Sequence, residues 1–412
     1  MPPGARGVVK ALLVAGGLDP TFGGPPVVLI NSAIAAQRAG IETTVVFPVG
    51  DDATGIAAVR QRLIGEGIET LTFPLLRRPA GLARRFGLSP AIGRWLRSAR
   101  TQFDVVHCHG AWVLPTLSVY CSAGRGAPST VLTPHESLTD FDIGQSRNAV
   151  TRTAKLWLRP RYLTRFDLVV FASALEARDS VPAEVAKRAA TLVIAHPVFD
   201  ERAHQPAPHR AVAEAGHLRV GFIGRLHAKK NLDVLVRALA HLPEAVRLIV
   251  AGDGPEAAGL RALAGACGVG GRIEWLGFVQ GPDKAMFFRR IDVLAMPSDY
   301  ECFGVAAAEA MAEGVPVLVS PRTGVAEVVE AHGGGLIVAP EANAVAAALE
   351  TLLHNPDSVP QYAARAAEAA ERAFSFAAHG ALLRRAYENL RGEAADETAP
   401  SVADRSRPSS RP

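Results

Sequence analysis

The sequence predicts an α/β protein built from two parallel-sheet domains that face each other across a cleft. Three observations carry this. Short β-branched runs alternate with longer Ala-, Leu- and Arg-rich stretches of helical period in both halves of the chain, the pattern of βα units. The alternation breaks around residue 210, beside Gln205-Pro206-Ala207-Pro208, as a linker would. A length of 412 residues, 49% hydrophobic and 20% charged, exceeds one ordinary domain and excludes a disordered or fibrous chain.

In the first half, strands are expected at 8–15, 42–47, 105–108, 130–133, 168–172 and 192–195. In the second they are expected at 218–223, 246–251, 273–277, 293–296, 315–320 and 335–339. The opening run carries Lys10 in its interior and passes straight into Gly16-Gly17 without a cleavage-type region, so it reads as a first strand. Two Rossmann-like domains follow, at 1–205 and 217–375, with a linker at 206–216 and a helix at 376–392. The tail 393–412 has no aromatic residue and mixes Pro, Ser and both charges; disorder is expected there. Domains of this kind bind ligands at the carboxyl ends of their strands, which points to the cleft.

Net charge is +4 over the whole chain, too little to indicate a nucleic-acid partner. Its distribution is uneven. Residues 1–200 hold 22 basic and 15 acidic side chains, and residues 201–412 hold 22 and 25. Four cysteines without a CxxC pair suit reduced thiols and a cytoplasmic compartment. No stretch approaches the roughly 20 charge-free apolar residues of a spanning helix, so any membrane contact is expected to be peripheral. The GxGxxG and GxxxxGK[ST] fingerprints are absent, which removes the main support for dinucleotide or P-loop chemistry.

Four constellations can carry chemistry. After the strand at 293–296, Glu301 and Glu309 are separated by seven residues, with Gly304 between them and an alanine-rich helix beginning near Val305. A ligand across that helix start could meet both acids, and the free N–H groups around Phe303 to Ala306 suit a phosphate. Taken singly, either glutamate reads equally well as a solvated helix residue. After the strand at 218–223, Gly224 permits a tight turn, and Arg225 and Lys230 can converge on one anion. Near the N-terminus, Gly23-Gly24 opens a helix and would let backbone approach a ligand. Finally, His107, His109 and Trp112, and His135 with Glu136, end two strands and are expected to face the cleft. No third ligand stands at a recognisable spacing, so no metal is expected. Separately, residues 77–100 hold seven arginines and 146–166 six basic residues, with no acid in either, interleaved with Leu, Phe and Trp. Such segments suit an anionic membrane surface or are solvated helix faces.

These residues resemble the retaining glycosyltransferases of family 4, also called glycosyl transferases group 1, over roughly 8–390. The carriers are Glu301-Cys302-Phe303-Gly304-Val305 through Glu309 to Val317, then Thr323-Gly324 with Glu327, Gly224-Arg225 with Lys230, Gly252-Asp253-Gly254-Pro255, and Gly277-Phe278-Val279. The resemblance implies the GT-B fold, an N-terminal acceptor domain, a C-terminal nucleotide-sugar domain and a last helix that returns to the first domain. It further implies that Glu301 contacts sugar hydroxyls and Glu309 the ribose. Arg225 and Lys230 would hold the diphosphate, with Gly23-Gly24 beside it and His135 near the reacting sugar. Gly224, Val279, Cys302, Phe303, Gly304 and Val305 complete the expected donor site, and His109 and Trp112 the acceptor side. Position 302 is Cys where many members have Gly, and His196-Pro197-Val198 replaces a more usual Pro-Asn-Gly run.

The expected activity is transfer of a hexosyl unit from a UDP- or GDP-sugar to a saccharide, polyprenyl-lipid-linked in cell-surface polysaccharide synthesis, with retention and without cofactor or metal. The alternatives are a nucleotide-sugar 2-epimerase or a phosphorylase of the same fold, and a catalytically silent membrane-surface protein.

Overall fold

The computed structural model describes residues 7–19, 23–50, 54–122, 127–202 and 216–392. The expected linker, but for Gly216, and the expected disordered tail lie outside the described residues. The first sheet contains β1 (Lys10–Ala15), β2 (Glu42–Val49), β3 (Glu69–Pro74), β4 (Val105–His109), β5 (Ser129–Thr133), β6 (Leu168–Phe171) and β7 (Thr191–Val193). Their order is β3-β2-β1-β4-β5-β6-β7, and every pairing is parallel. The second sheet contains β8 (Leu218–Ile223), β9 (Val246–Ala251), β10 (Ile273–Gly277), β11 (Val293–Met296), β12 (Val317–Val319) and β13 (Gly335–Ile337). Their order is β10-β9-β8-β11-β12-β13, again all parallel.

β3 is the strand that the sequence does not announce. It is an edge strand and only its middle is half-buried, so nothing requires the continuous apolar run of strands covered on both faces.

Consecutive side chains of β1 point to opposite faces, and each face has its own core. Leu13 joins Leu29, Ile34, Phe47, Leu63 and Phe376 on one side, under the helices Gly24–Arg38, Thr54–Gly65 and Phe376–Leu390. Leu12 and Val14 join Ile92, Leu96, Val119, Tyr162 and Leu163 on the other, under Pro90–Ala99, Leu114–Ser122 and Ala149–Arg165. The last helix therefore belongs to the first lobe. Phe376 and Tyr387 are 1% and 0% exposed there, and burial of each is worth about 1.5–3 kcal/mol. A Cβ on Gly380 would stand 2.3 Å from Ala35 O, so only glycine permits this helix crossing.

Strand order reverses between β1 and β4 in the first sheet and between β8 and β11 in the second. Ligands of open α/β sheets bind outside the strands' carboxyl ends at such points. The segments following β1, β4, β8 and β11 are therefore where chemistry is expected.

Candidate functional site

The second lobe supplies one wall. β8 is followed by Gly224 at φ 150, and a Cβ on Gly252 would stand 1.9 Å from Gly224 O; both positions need glycine for this close turn. Arg225 is exposed. The turn Ala228–Lys230 ends at Asn231, in the left-handed region at φ 51. Asn231 Nδ2 donates to Pro297 O at 3.0 Å and Asp299 Oδ1 at 2.7 Å, tying this turn to the loop after β11. That tie brings Lys230 Nζ to 2.6 Å from Glu301 Oε1. The glutamate is 9% exposed and its backbone bridges Thr323. The ammonium sits at ion-pair distance but off the hydrogen-bonding direction, so buried Oε1 keeps an unused acceptor site. Such an atom is well disposed to receive a hydroxyl.

Gly304, at φ 93, starts the helix Val305–Ala312, and a Cβ there would stand 2.7 Å from Thr323 Cγ2. Across the cleft, Gly23 at φ 98 starts the helix Gly24–Arg38. A Cβ on Gly24 would lie 3.6 Å from Val305 Cγ2, so one helix N-terminus from each lobe meets the other. Both ends carry partial positive charge and favour a phosphate between them. Glu309, one turn into the second helix, is ion-paired with Lys284. Phe303 is buried, edge-on to Phe374, and Val279 packs half-buried against the same core. These residues hold the wall without presenting polar atoms to it.

The first lobe supplies the other wall. His135 follows β5, half-buried, and burial pushes its imidazole down to about 4. The structure corrects the expectation for the other histidines. His109 is 6% exposed and lies behind the cleft wall, with Nδ1 2.9 Å from His135 Nε2. His107 is 1% exposed, between Tyr387 Oη at 2.7 Å and Thr133 Oγ1 at 2.8 Å. The physical reason is period: residues 107 and 109 point to one face of β4, and that face is covered by the last helix. Trp112 donates its indole N–H to Ser137 O at 2.7 Å, and Lys155 Nζ lies 5.7 Å from its ring centre.

Contacts between the lobes add Lys229, Ser173, Phe141 and Tyr300, which the sequence did not single out, and give Glu136, Cys302 and Glu327 their partners. Lys229 Nζ meets Glu136 Oε1 at 3.0 Å. Burial lowers the Lys229 ammonium's pKa, but Glu301 and Glu136 outweigh it and the net shift is upward, which keeps the group charged. Ser173 Oγ donates to Cys302 O at 2.5 Å. The Glu327 carboxylate accepts the Ala174 and Leu175 N–H groups at 2.9 and 2.6 Å. Phe141 stacks on Tyr300 with ring centres 4.9 Å apart. Behind Ser173, Glu176 is fully buried. Its signal was present: Ser173-Ala-Leu-Glu176 has the S-x-x-E form of a capping box. Yet Glu176 accepts from Ala172 N and Glu136 N, and not from the cap. Among the described residues no cluster of three or more His, Cys, Asp or Glu could hold a metal ion.

Residues 209–373 match the glycosyl transferases group 1 model, and residues 23–197 match the glycosyl transferase 4-like domain. The D-inositol 3-phosphate glycosyltransferase of Mycobacterium marinum is 34% identical over 199 residues, 45% of this chain and 42% of the relative. That of Mycobacterium tuberculosis strain F11 is 30% identical over 328 residues, 72% of this chain and 64% of the relative. The chain thus spans from under half to under two thirds of these two relatives' length. Among solved structures, sucrose-phosphate synthase from Thermosynechococcus elongatus superimposes with a TM-score of 0.74 at 20% identity, over 94% of this chain and all of that one. Anabaena HepE in complex with UDP-glucose gives 0.69 at 21% identity, over 92% of this chain and 99% of that one. The fold is therefore GT-B: two parallel-sheet α/β lobes about a cleft.

Proposed function

We propose that this chain is a retaining glycosyltransferase that moves a hexosyl unit from a UDP- or GDP-sugar to a saccharide acceptor. The observation that carries it is the Lys230–Glu301 pair at the carboxyl end of the second sheet, beside two opposed helix N-termini. In this reading Arg225, Lys230 and the amides near Val305 receive the diphosphate as its charge grows on leaving. Glu301 Oε1 accepts a donor-sugar hydroxyl, and Glu309 exchanges Lys284 for the ribose. Fixed cations do the work without a divalent ion. The acceptor hydroxyl attacks from the face the diphosphate leaves, beside His135, and its proton passes to the departing phosphate. Both family-model matches and the UDP-glucose bound to HepE support a nucleotide-sugar donor.

Nucleotide binding tests this reading. UDP or GDP at one hundred times its dissociation constant stabilises the folded chain by about 2.7 kcal/mol, a rise of a few degrees in melting temperature. If neither nucleotide moves the transition at millimolar concentration, the donor assignment fails. A panel of UDP- and GDP-sugars, read by nucleotide release, then identifies the donor.

The acceptor is proposed to be lipid-linked, met at an anionic bilayer in cell-surface polysaccharide synthesis. No described helix is long and apolar enough to cross a membrane. The helices Pro90–Ala99 and Ala149–Arg165 lie in one layer on the first sheet. That layer and the helix Ala80–Phe86 expose Leu82 (50%), Trp157 (58%) and Val150 (80%) among arginines. The Arg161 guanidinium lies 3.6 Å from the Trp157 ring centre. Each basic residue near an anionic surface is worth about 1 kcal/mol. Co-sedimentation with phosphatidylserine-containing vesicles at low salt, weakening as salt rises, is expected. No pelleting at low salt removes the membrane from the proposal.

A further inference from the structure

Only three described residues other than glycine have a positive φ: Asn231, and the consecutive pair His135 (51°) and Glu136 (71°). Asn tolerates the left-handed region; His and Glu pay about 1–2 kcal/mol each to enter it. Two such residues in succession, at the end of a central strand, persist only if their surroundings hold them.

Three contacts do so. From beneath, fully buried Glu176 accepts the Glu136 N–H at 2.7 Å with one oxygen, and the Ala172 N–H at 2.8 Å with the other. From behind, His109 Nδ1 lies 2.9 Å from His135 Nε2. From the opposite lobe, Lys229 takes the Glu136 carboxylate at 3.0 Å, one residue before Lys230. The first two contacts lie within the first lobe and the third exists only while the lobes are together. Thr139 Nα and Oγ1 both donate to Glu136 O at 2.9 and 2.8 Å, which closes the turn locally but does not select its handedness.

We propose that Glu176 and Glu136 are positioning residues for His135: the buried carboxylate holds the strained turn from the first lobe, the Glu136–Lys229 pair completes it from the second, and the imidazole is set in place on lobe closure. This rests on reading the cleft as the site of glycosyl transfer. Neither glutamate touches the substrate in this scheme. Lys229 thereby couples the turn bearing the diphosphate-binding Lys230 to the loop bearing His135, so that grip on the donor and placement of His135 arise in one movement.

The test uses the full chain at pH 8.5, where the Glu176 carboxylate is ionised, with ¹³C-labelled histidine rings, the His135 signal being assigned through His135→Asn. Glu176→Gln keeps the shape of the side chain but turns an N–H donor toward a backbone N–H, and is expected to shift the His135 signal. Glu176→Gln combined with Glu136→Asn, which puts a residue tolerant of the left-handed region at 136 but also removes the Glu136–Lys229 pair, is expected to bring the signal back only as far as its position in Lys229→Met. Lys229→Met, at a position whose loss leaves the first-lobe contacts intact, is expected to move the signal in the same direction by a smaller amount. An unmoved His135 signal in Glu176→Gln, or a double variant whose signal stays as far displaced as in Glu176→Gln alone, overturns the role of Glu176. An unmoved signal in Lys229→Met overturns the coupling to closure, and this arm remains readable if Glu176→Gln does not fold. In turnover, Glu176→Gln should lower kcat by about tenfold to a hundredfold while affinity for the nucleotide that binds, UDP or GDP, stays within about twofold of wild type. A wild-type chain that binds neither UDP nor GDP and transfers no sugar refutes the proposed function, whereas the ring signals judge the positioning roles by themselves.

Discussion

Lys230→Met is expected to lower turnover by about 10²- to 10³-fold, the loss seen when one fixed donor to a developing oxyanion is removed. The same substitution is expected to destabilise the fold, because Glu301, at 9% exposure, would lose the ammonium that lies 2.6 Å from its Oε1. Breaking one side of a buried pair costs about 3 kcal/mol or somewhat more. The two effects separate in a double variant. Lys230→Met with Glu301→Gln removes the stranded charge, so most of the lost melting temperature should return while turnover stays at the single variant's level or below. Thermal unfolding and nucleotide release, measured on the same preparations, check both halves. Recovery of turnover in the double variant would mean that Lys230 acts only by neutralising Glu301, and would remove it from the diphosphate site.

Local chemistry decided what the sequence could reveal. The central strands were legible because burial on both faces demands apolar runs, and the site glycines because a turn at φ 93 or 150 leaves little choice of residue. Glu301, Glu309, Arg225 and Lys230 could be singled out as candidates because each lies within a few residues of a strand end or helix start, and the structure brings Lys230 and Glu301 together. The lobe contacts were not legible. Lys229 and Glu136 are 93 residues apart, and Glu176 and the Glu136 amide 40; no periodicity links them, and the pairing exists only once two sheets have folded and closed. β3 escaped for a different reason, since an edge strand buries too little to leave a pattern. His109 departs from the expectation because β4 ends at the cleft while its alternate residues point beneath the last helix.

A group of histidines that runs from that covered face to His135 in the cleft wall carries the second large effect. His107, His109, His135, His196 and His379 form a packed group, with ring centres of neighbours 4.5 to 5.2 Å apart from His107 through His109 and His135 to His196. His379 sits on the last helix with Nδ1 2.8 Å from Ala195 O. Burial holds every one of them in the neutral form: His107 is pushed down to about 3, His135 and His379 to about 4, and His109 and His196 well below the usual histidine range. Unfolded, each would titrate near 6.5. Their contribution is therefore fully present above about pH 6.5 and is lost as pH falls toward 4, because the unfolded chain takes up protons that the folded one refuses. Glu176 acts in the opposite sense. Burial pushes it up to about 7, so between pH 7 and its unfolded value near 4.5 the folded chain binds the extra proton and gains stability on acidification. Counting only the three histidines with assigned values against Glu176, unfolding near pH 5 takes up a net of about two protons, a slope of about 2.7 kcal/mol per pH unit. Urea unfolding at pH 7.5, 6.0 and 5.0 should show the midpoint falling steeply below pH 6. His379→Asn, which cannot titrate and lies on the far side of the group from the cleft, should reduce the slope by about 1.4 kcal/mol per pH unit. A midpoint that is level between pH 7.5 and 5.0 would show that these rings accept protons without unfolding, and that the last helix does not seal them from water.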